Sequence, residues 1–527
     1  MSRRIATRLK IKGKLKARGP LHVGGMSGNQ DVDLMIALDG CNREYIPGTS
    51  LAGPLRAWLS QRVDLQTVNE LFGPPQKKGD KEGQASFVMV EDGLVELPVN
   101  CAVESRDGVG IDRKTGAAAD GAKYDRAVLP HGSKINFEMT VELSNNATAR
   151  ERDKIKGLIG ALLEALEDGQ IRFGAAKSRG HGFVKLESVT VAEQNLLSLD
   201  GMLQALRGKQ APAIALPIEK LRERPQLDVT ITWRPRGPLM VKAERDGVGV
   251  DMLPLTSAID GKLSFALPGS SIKGALRSQA ERIVRTLCPE VGSKDKFLDQ
   301  VAVPFIVDLF GAASAGDKDK DLDDEGPPVP GLSALIVEDC YAKKLRFSRE
   351  QWARVEQAKS ETETAGQTES ELYRALREAG LQNAQMAMHV AVDRWTGGAA
   401  GGFLYSVLEP HGVEWGPITL RLDLARLSGA QKQWGAIACL LFVLRDLAAG
   451  RIPLGFGANR GMGALAVDTV RIEARASDDE DLNRLPSVTI SDGKLHIPNE
   501  LKTKLNQAWK DTCDAIKQEA TQGGNGQ

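Results

Sequence analysis

Phe173-Gly174-Ala175-Ala176-Lys177-Ser178-Arg179-Gly180-His181-Gly182 is echoed far along the chain by Gly455-Phe456-Gly457-Ala458-Asn459-Arg460-Gly461-Met462-Gly463. Both stretches end in Arg-Gly-x-Gly, and the match extends outward from them. Ile111-Asp112-Arg113 stands 66 residues before Arg179, arginine to arginine, and Val392-Asp393-Arg394 stands 66 before Arg460. Nearer the start, Pro47-Gly48-Thr49-Ser50-Leu51 returns as Pro268-Gly269-Ser270-Ser271-Ile272, each 8 residues after an Asp-Gly pair (Asp39-Gly40; Asp260-Gly261). Gly19-Pro20-Leu21 precedes Asp33 by 14 residues, as Gly237-Pro238-Leu239 precedes Asp251. Shared spacing at so many anchors marks a tandem duplication, and a repeat sets the frame for every later reading.

The bulk numbers agree with two modules. At 527 residues the chain exceeds the roughly 250–300 residues that one core sustains. A hydrophobic content of 42% and a charged content of 26% are those of a globular chain. The 69 basic and 69 acidic residues cancel, so any nucleic-acid surface has to be locally basic. Six cysteines are scattered without a CxxC, and six histidines form no HxxxH pair, so neither a disulfide framework nor a zinc site is expected. The basic opening lacks an apolar signal core, and no run approaches a membrane span; a cytoplasmic protein without membrane contact is expected.

Each module opens with alternating residues, Ala6 to Leu15 and Leu227 to Trp233, as a strand with one wet face requires. A helix follows each PG[TS]S turn, with Ser50 or Ser271 placed to cap it; Leu51, Leu55 and Leu59, or Ile272, Leu276 and Ile283, supply the buried stripe. Strands ending at Val90-Glu91-Asp92 and Val337-Glu338-Asp339 come next, then a long hairpin, then a helix (Ile159 to Leu166; Ile437 to Leu447) and a final strand. That order predicts an α+β fold, two tandem ferredoxin-like domains. The boundaries expected are 1–192, a linker at 193–225, 226–475, and a C-terminal extension at 476–527 ending in a helix. Module two is 60 residues longer between its PG turn and its Asp-Arg pair, and the excess is assigned to two places. One is a polar loop near 312–330; the other is a surface-helix insertion near 345–385.

Several residues could carry chemistry. Glycines let backbone N–H groups turn toward a phosphate, and Arg179 or Arg460 adds charge. One such loop alone reads as a tight turn; its recurrence favours phosphate binding through Gly174, Ser178, Arg179, Gly180 and Gly182, and through Gly457, Asn459, Arg460, Gly461 and Gly463. The turns Gly48-Thr49-Ser50 and Gly269-Ser270-Ser271 open helices whose free N–H groups suit an anion, with Arg56, Lys273 and Arg277 adding charge. An ordinary helix start explains either turn equally well. Arg113 and Arg394 sit at the pliant tips of the two hairpins. His131 and His411 match between modules and read as turn residues.

The combination of GPL, VD, PG[TS]S, LFG, VED, DRxTG and terminal RGxG is similar to the RAMP superfamily. It resembles specifically the Cas-seven-like backbone subunits of type III CRISPR effector complexes (Csm and Cmr type), over roughly 5–192 and 227–475. The resemblance implies an RRM-like palm that holds guide RNA (crRNA). It also implies a β-hairpin thumb, here within about 105–135 and 386–415, displacing one base in about every six. It places the target-cleaving aspartate in the loop before the PG[TS]S helix, where Asp33 and Asp251 stand. Asp31 and Asp246 fail the repeat, facing Gly249 and Gly28, while Asp39 and Asp260 read as turn residues. The partners implied are crRNA, complementary target RNA, a large polymerase-like subunit, other RAMP backbone subunits and small helical subunits.

Elementary chemistry agrees with that placement. RNA carries its own nucleophile, so cleavage needs a distorted backbone and one carboxylate to accept the 2′-OH proton or orient a hydrated Mg²⁺. The expectation is an endoribonuclease cutting target RNA at two positions about six nucleotides apart, one per module, with Mg²⁺ bound transiently alongside the RNA. Within the family the alternatives are a non-catalytic crRNA scaffold and a guide-RNA processing nuclease. The last would need a histidine, and His22 faces Met240 in the second copy, so at most one site could serve.

Overall fold

Alternation along Ile5–Ala17 (β1) sends Leu9, Ile11 and Leu15 inward with 0–1% exposure. It sends Arg8, Lys10 and Lys12 outward, where they meet Glu142, Thr140 and Glu138 of the neighbouring strand at 2.8–2.9 Å. The computed structural model describes residues 4–25, 32–75, 83–209, 211–244, 246–292, 294–312, 333–359, 370–475, 479–491 and 493–523. These separate into two units. One is built from the chain up to Ser105, Arg126–Lys177 and His181–Glu223; the other from Arg106–Asp125, Ser178–Gly180 and Arg224 onward.

In the first unit β1 is followed by α1 (Gly48–Ser60), β2 (Val88–Val90), β3 (Lys134–Ser144), α2 (Ala149–Glu167) and β4 (Val184–Asn195). The core strands lie in the order β4-β1-β3-β2, every neighbour antiparallel. That is the ferredoxin-like arrangement. Leu51, Leu55 and Leu59 are fully buried on α1, as the spacing predicts. Parts of the 193–225 stretch lie against this unit, with Ile214, Leu216 and Leu221 partly buried on its core. Ala213 bridges Ala192, and the Pro217 carbonyl presses so closely on α2 that a side chain at Gly160 would overlap it.

The second unit repeats the plan with β5 (Gln226–Pro235), α3 (Gly269–Leu287), β6 (Leu335–Val337), β7 (Ile418–Asp423), α4 (Gly429–Ala448) and β8 (Leu465–Arg475). Its sheet order, β8-β5-β7-β6, is the same one, again antiparallel throughout. On α3 the buried stripe runs Ile272, Leu276, Ala280, Val284; Ile283, expected in it, is only partly buried.

Three differences from the sequence reading emerge. Neither PG[TS]S helix is capped by its serine: the N-cap residues are Pro47 and Pro268, neither with a side-chain cap, and the serines lie inside the first turn. The 60 extra residues of module two occupy three places, not two. A 17-residue excess between the PGSS turn and Leu309 lengthens α3 to 19 residues, against 13 for α1, and adds the short helix Phe297–Val301. The helices of the later insertion, Arg349–Gln357 and Glu371–Glu378, bury Trp352, Val355, Leu372 and Leu376 in the core instead of lying on the surface. The polar loop expected near 312–330 lies outside the described residues.

After β8 a short hairpin, Thr489–Ser491 with Lys494–His496, leads to the C-terminal helix Asn499–Gly523. This helix packs along α4. The Thr512 hydroxyl fills the space beside Gly435, and Trp509 meets Phe442 and Phe305 edge-on at centroid distances of 5.4 and 6.5 Å. Among the described residues no helix is long and apolar enough to cross a membrane.

Candidate functional site

The glycine-rich loops are shaped by close approach, and the two copies agree bond for bond. A Cβ at Gly174 would overlap the His22 carbonyl, and one at Gly455 would overlap that of Met240. Gly182 and Gly463 press the same way on Phe173 and Leu454, with φ of +80° and +77°. The Gly182 and Gly463 amides donate to the Pro20 and Pro238 carbonyls at 2.8 and 2.9 Å. These four glycines are therefore steric necessities. Gly461 is different: its φ is +87°, and an added Cβ would meet nothing within 4 Å.

Arg179 and Arg460 each reach a tyrosine on a hairpin: Arg179 donates to the Tyr124 hydroxyl at 2.9 Å, and Arg460 donates to that of Tyr405. The Arg460 guanidinium also stands over the Tyr405 and Phe456 rings, 5.7 and 5.1 Å from their centroids. Asn459, Arg460 and Gly461 are exposed, whereas Ser178 and Arg179 are half-buried and Gly180 is buried.

The candidate acids sit in matching places at the roots of the hairpins, which are Glu104–Ile111 with Ala118–Val128 and Ala384–Val392 with Ala399–Pro410. Leu34, next after Asp33, forms a parallel bridge to Arg126; Met252, next after Asp251, forms one to Val407. Ala127 N–H donates to the Leu34 carbonyl at 2.9 Å, and Leu408 N–H donates to that of Met252 at 2.9 Å. Both aspartates are exposed. The Asp251 carboxylate accepts from the Ser406 amide at 2.7 Å and from its hydroxyl at 2.9 Å, and these bonds hold its pKa below the ordinary value. The register that pairs Leu34 with Met252 puts Asp125 where the second copy has Ser406. Among the other loop candidates, Asp31 and Gly28 lie outside the described residues. Asp246 pairs with Lys242 at 3.3 Å. Asp39 accepts from the Cys41 and Arg43 amides, and Asp260-Gly261 turns a hairpin with both φ positive. Both behave as turn residues.

The helix starts and several basic residues depart from expectation. The VED aspartates occupy the helix N-termini: Asp92 accepts from the Gly48 amide and Asp339 from the Gly269 amide, each at 2.7 Å. A donor read as open to phosphate is thus already satisfied in both copies. The Asp339 side chain is 2% exposed, and burial pushes its carboxyl up to about 6 even with Arg106 at 3.8 Å. Lys273 is buried, donating to the Leu335 carbonyl at 2.8 Å, to the Ser333 hydroxyl and to the Ser178 carbonyl at 3.2 Å; burial drives its pKa far down. Arg277 bonds Glu281 at 2.7 Å and the Gly311 and Val301 carbonyls at 2.8 and 2.6 Å. Arg113 bonds Glu281 at 2.6 Å, and Arg56 bonds Asn69 at 2.6 Å. Lys273 and Arg277 hold the interior together and present no charge to RNA; Arg113 and Arg56 spend at least part of theirs on protein. Arg394 is exposed, as expected.

Residues that sequence reasoning passed over include Trp395 at the second tip, 96% exposed, with Phe403 and Leu404 near 60%. His389 stacks on Tyr405 with centroids 5.3 Å apart. A bulky aromatic after Asp-Arg was legible as a signal: a buried Trp is common, but one beside Thr-Gly-Gly in a turn has no core to enter. His22 is a core residue, 4% exposed. Its Nδ1 donates to the Ala127 carbonyl at 2.7 Å, and burial lowers its pKa. Gly132 and Gly412, next to His131 and His411, take φ of +92° and +64°, in keeping with a turn.

The profile of the RAMP superfamily matches residues 14–185 and 255–466, one stretch in each repeat of the sequence. The chain belongs to the RAMP superfamily. RAMP proteins are CRISPR-associated and bind RNA, and some are nucleases, so this chain is a tandem RAMP protein of that RNA-binding class. No curated protein matches it at a significant level.

Proposed function

We propose that this RAMP protein is a fused pair of Cas-seven-like backbone subunits of a type III CRISPR effector complex, holding crRNA and cutting complementary target RNA once per module. The observation that carries this reading is the matched placement of Asp33 and Asp251. Each lies one residue before a bridge that fastens its loop to the root of a hairpin. A hairpin that splays the strand at that root would leave a distorted phosphodiester beside the carboxylate.

In the reaction the 2′-oxygen bonds to phosphorus as its proton leaves, and the 5′-oxygen departs and takes up a proton. The products are a 2′,3′-cyclic phosphate and a 5′-hydroxyl. Asp251, kept ionised by Ser406, is a weak proton acceptor and is better suited to orienting a hydrated cation. Among the described residues no three His, Cys, Asp or Glu side chains cluster as a metal cage. Mg²⁺ would therefore take one carboxylate from Asp33 or Asp251 and its other ligands from RNA and water, and would supply charge neutralisation at the phosphate.

The test is cleavage of labelled target by the assembled complex. Asp33→Ala erases one cut and Asp251→Ala the other, each by roughly a hundredfold or more, with RNA binding intact. Normal cutting by both variants would refute the assignment. The scaffold reading has one specific support, the satisfaction of Asp251 by Ser406, and absence of any cut by the wild type would establish it.

A further inference from the structure

Within the second unit the ends of α3 and α4 and the tip of the first hairpin enclose a cleft of about 530 Å³ whose lining includes Arg113, Arg282, Arg285 and Arg451. We propose that this cleft binds a ligand through adjacent phosphate groups. The inference does not rest on the cleavage reading.

The charge around the cleft is unbalanced. Its two nearby carboxylates are Glu281, held by Arg113 and Arg277, and Asp446, held by Arg445 and Arg451. Both are buried, so each fixes a pair of guanidinium groups instead of moving to meet a ligand. Arg113, Arg282, Arg285 and Arg451 line the cleft, and Glu281 is the carboxylate among its lining residues. The carboxyl ends of the two helices add roughly half a negative charge each, which leaves an excess of about two positive charges among the lining groups. Capping of helix ends therefore accounts for only part of the set. Arg282 is exposed and makes no side-chain bond among the described residues; the Arg285 Nε is buried without an acceptor there. No aromatic side chain lines the cleft, so a ligand would be recognised by its phosphates and not by a stacked base.

The cleft is also absent from the repeat. Superposing the PG turns sets Ser60 opposite Glu281, and Arg282 and Arg285 lie on the six residues by which α3 outruns α1. The glycine-rich loops set Gln170 opposite Arg451. This anion site is thus an addition of the second module, separate from whatever both modules do alike.

Two sources share the chemistry: the backbone of an RNA strand and a free polyphosphate. The full chain, as wild type, Arg282→Ala, the double variant Arg282→Ala/Arg451→Ala and the distant control Arg349→Ala, is titrated with tripolyphosphate and with a labelled single-stranded RNA homopolymer over a range of KCl. Loss of about tenfold or more in the double variant, with the control unchanged, is the expected result. Loss for RNA together with tripolyphosphate identifies backbone phosphates as the ligand. Loss for tripolyphosphate alone identifies a free polyphosphate. If neither probe is weakened, or the control loses as much, the site is refuted. Arg282→Ala removes no side-chain bond among the described residues, so a smaller loss in that single variant at an unchanged melting temperature is the result that a folding defect, open to Arg451→Ala through Asp446, cannot mimic.

Discussion

The tips of the two hairpins have the same internal chemistry in different surroundings. In each, an aspartate accepts from the two following amides (Asp112 from Lys114 and Thr115; Asp393 from Trp395 and Thr396), and a glycine at φ near +70° closes the turn. The first tip is seated against the rest of its unit. Gly110 lies against Phe297, Gln300 donates to Asp112 at 2.9 Å, and Arg113 reaches Glu281. The second tip exposes Trp395, where the first has Lys114 paired with Asp295. Local sequence therefore builds the hairpin. The longer α3 and the helix Phe297–Val301 decide whether it is covered.

The sharpest way to break this contrast is Glu281→Ala, which strips a buried carboxylate from Arg113 and Arg277. The expected loss is roughly 3–5 kcal/mol of stability in denaturant titration. Amide exchange over 106–120 should rise to match 386–404. Unchanged exchange would mean that Glu281 does not hold the tip.

Asp339→Asn comes next. The folded carboxyl titrates near 6 against an ordinary 3.8, so the folded state holds the proton more tightly. Stability from that proton is complete below about pH 3.8 and is lost as pH rises through 6, on the order of 3 kcal/mol in all. Asparagine can still accept from Gly269, and its variant should show no such decline between pH 4 and 6. An unchanged pH profile would show that another group governs this range.

Trp395→Ala should have the smallest effect on folding, within about 0.5 kcal/mol, because the ring touches little protein. On RNA binding it should cost roughly 1–3 kcal/mol if the ring stacks on a base, as Lys114→Ala should not. Equal RNA affinities for the two variants would erase the functional difference between the tips.

How much of this was legible follows from what a sequence records. The alternating openers, the helix stripes on Leu51-Leu55-Leu59 and Ile272-Leu276, and the glycine anchors all express local geometry, and they pointed correctly to two ferredoxin-like units. Lys273 and Arg277 misled because they form, with Glu281, an i,i+4 charged row beside the apolar stripe, a pattern that normally faces water. Their partners, Ser333, Leu335, Gly311 and Val301, come from distant positions that only the folded chain brings near. The helix N-termini misled for a related reason. Asp92 and Asp339 were read as the ends of strands, though their 44- and 70-residue separations from Gly48 and Gly269 close onto the turn. The 17-residue excess that lengthens α3 was recoverable by subtracting anchor positions from the PG turn to Leu71 and Leu309.

The fit of Thr512 beside Gly435 has a practical corollary for anyone dividing the polypeptide. The family match ends at residue 466, yet a fragment cut after β8 would bare Trp434, Phe442 and the flank of α4 that the C-terminal helix shields. The downstream module is consequently self-sufficient only with its tail attached, and even a methyl group at position 435 would wedge the two helices apart.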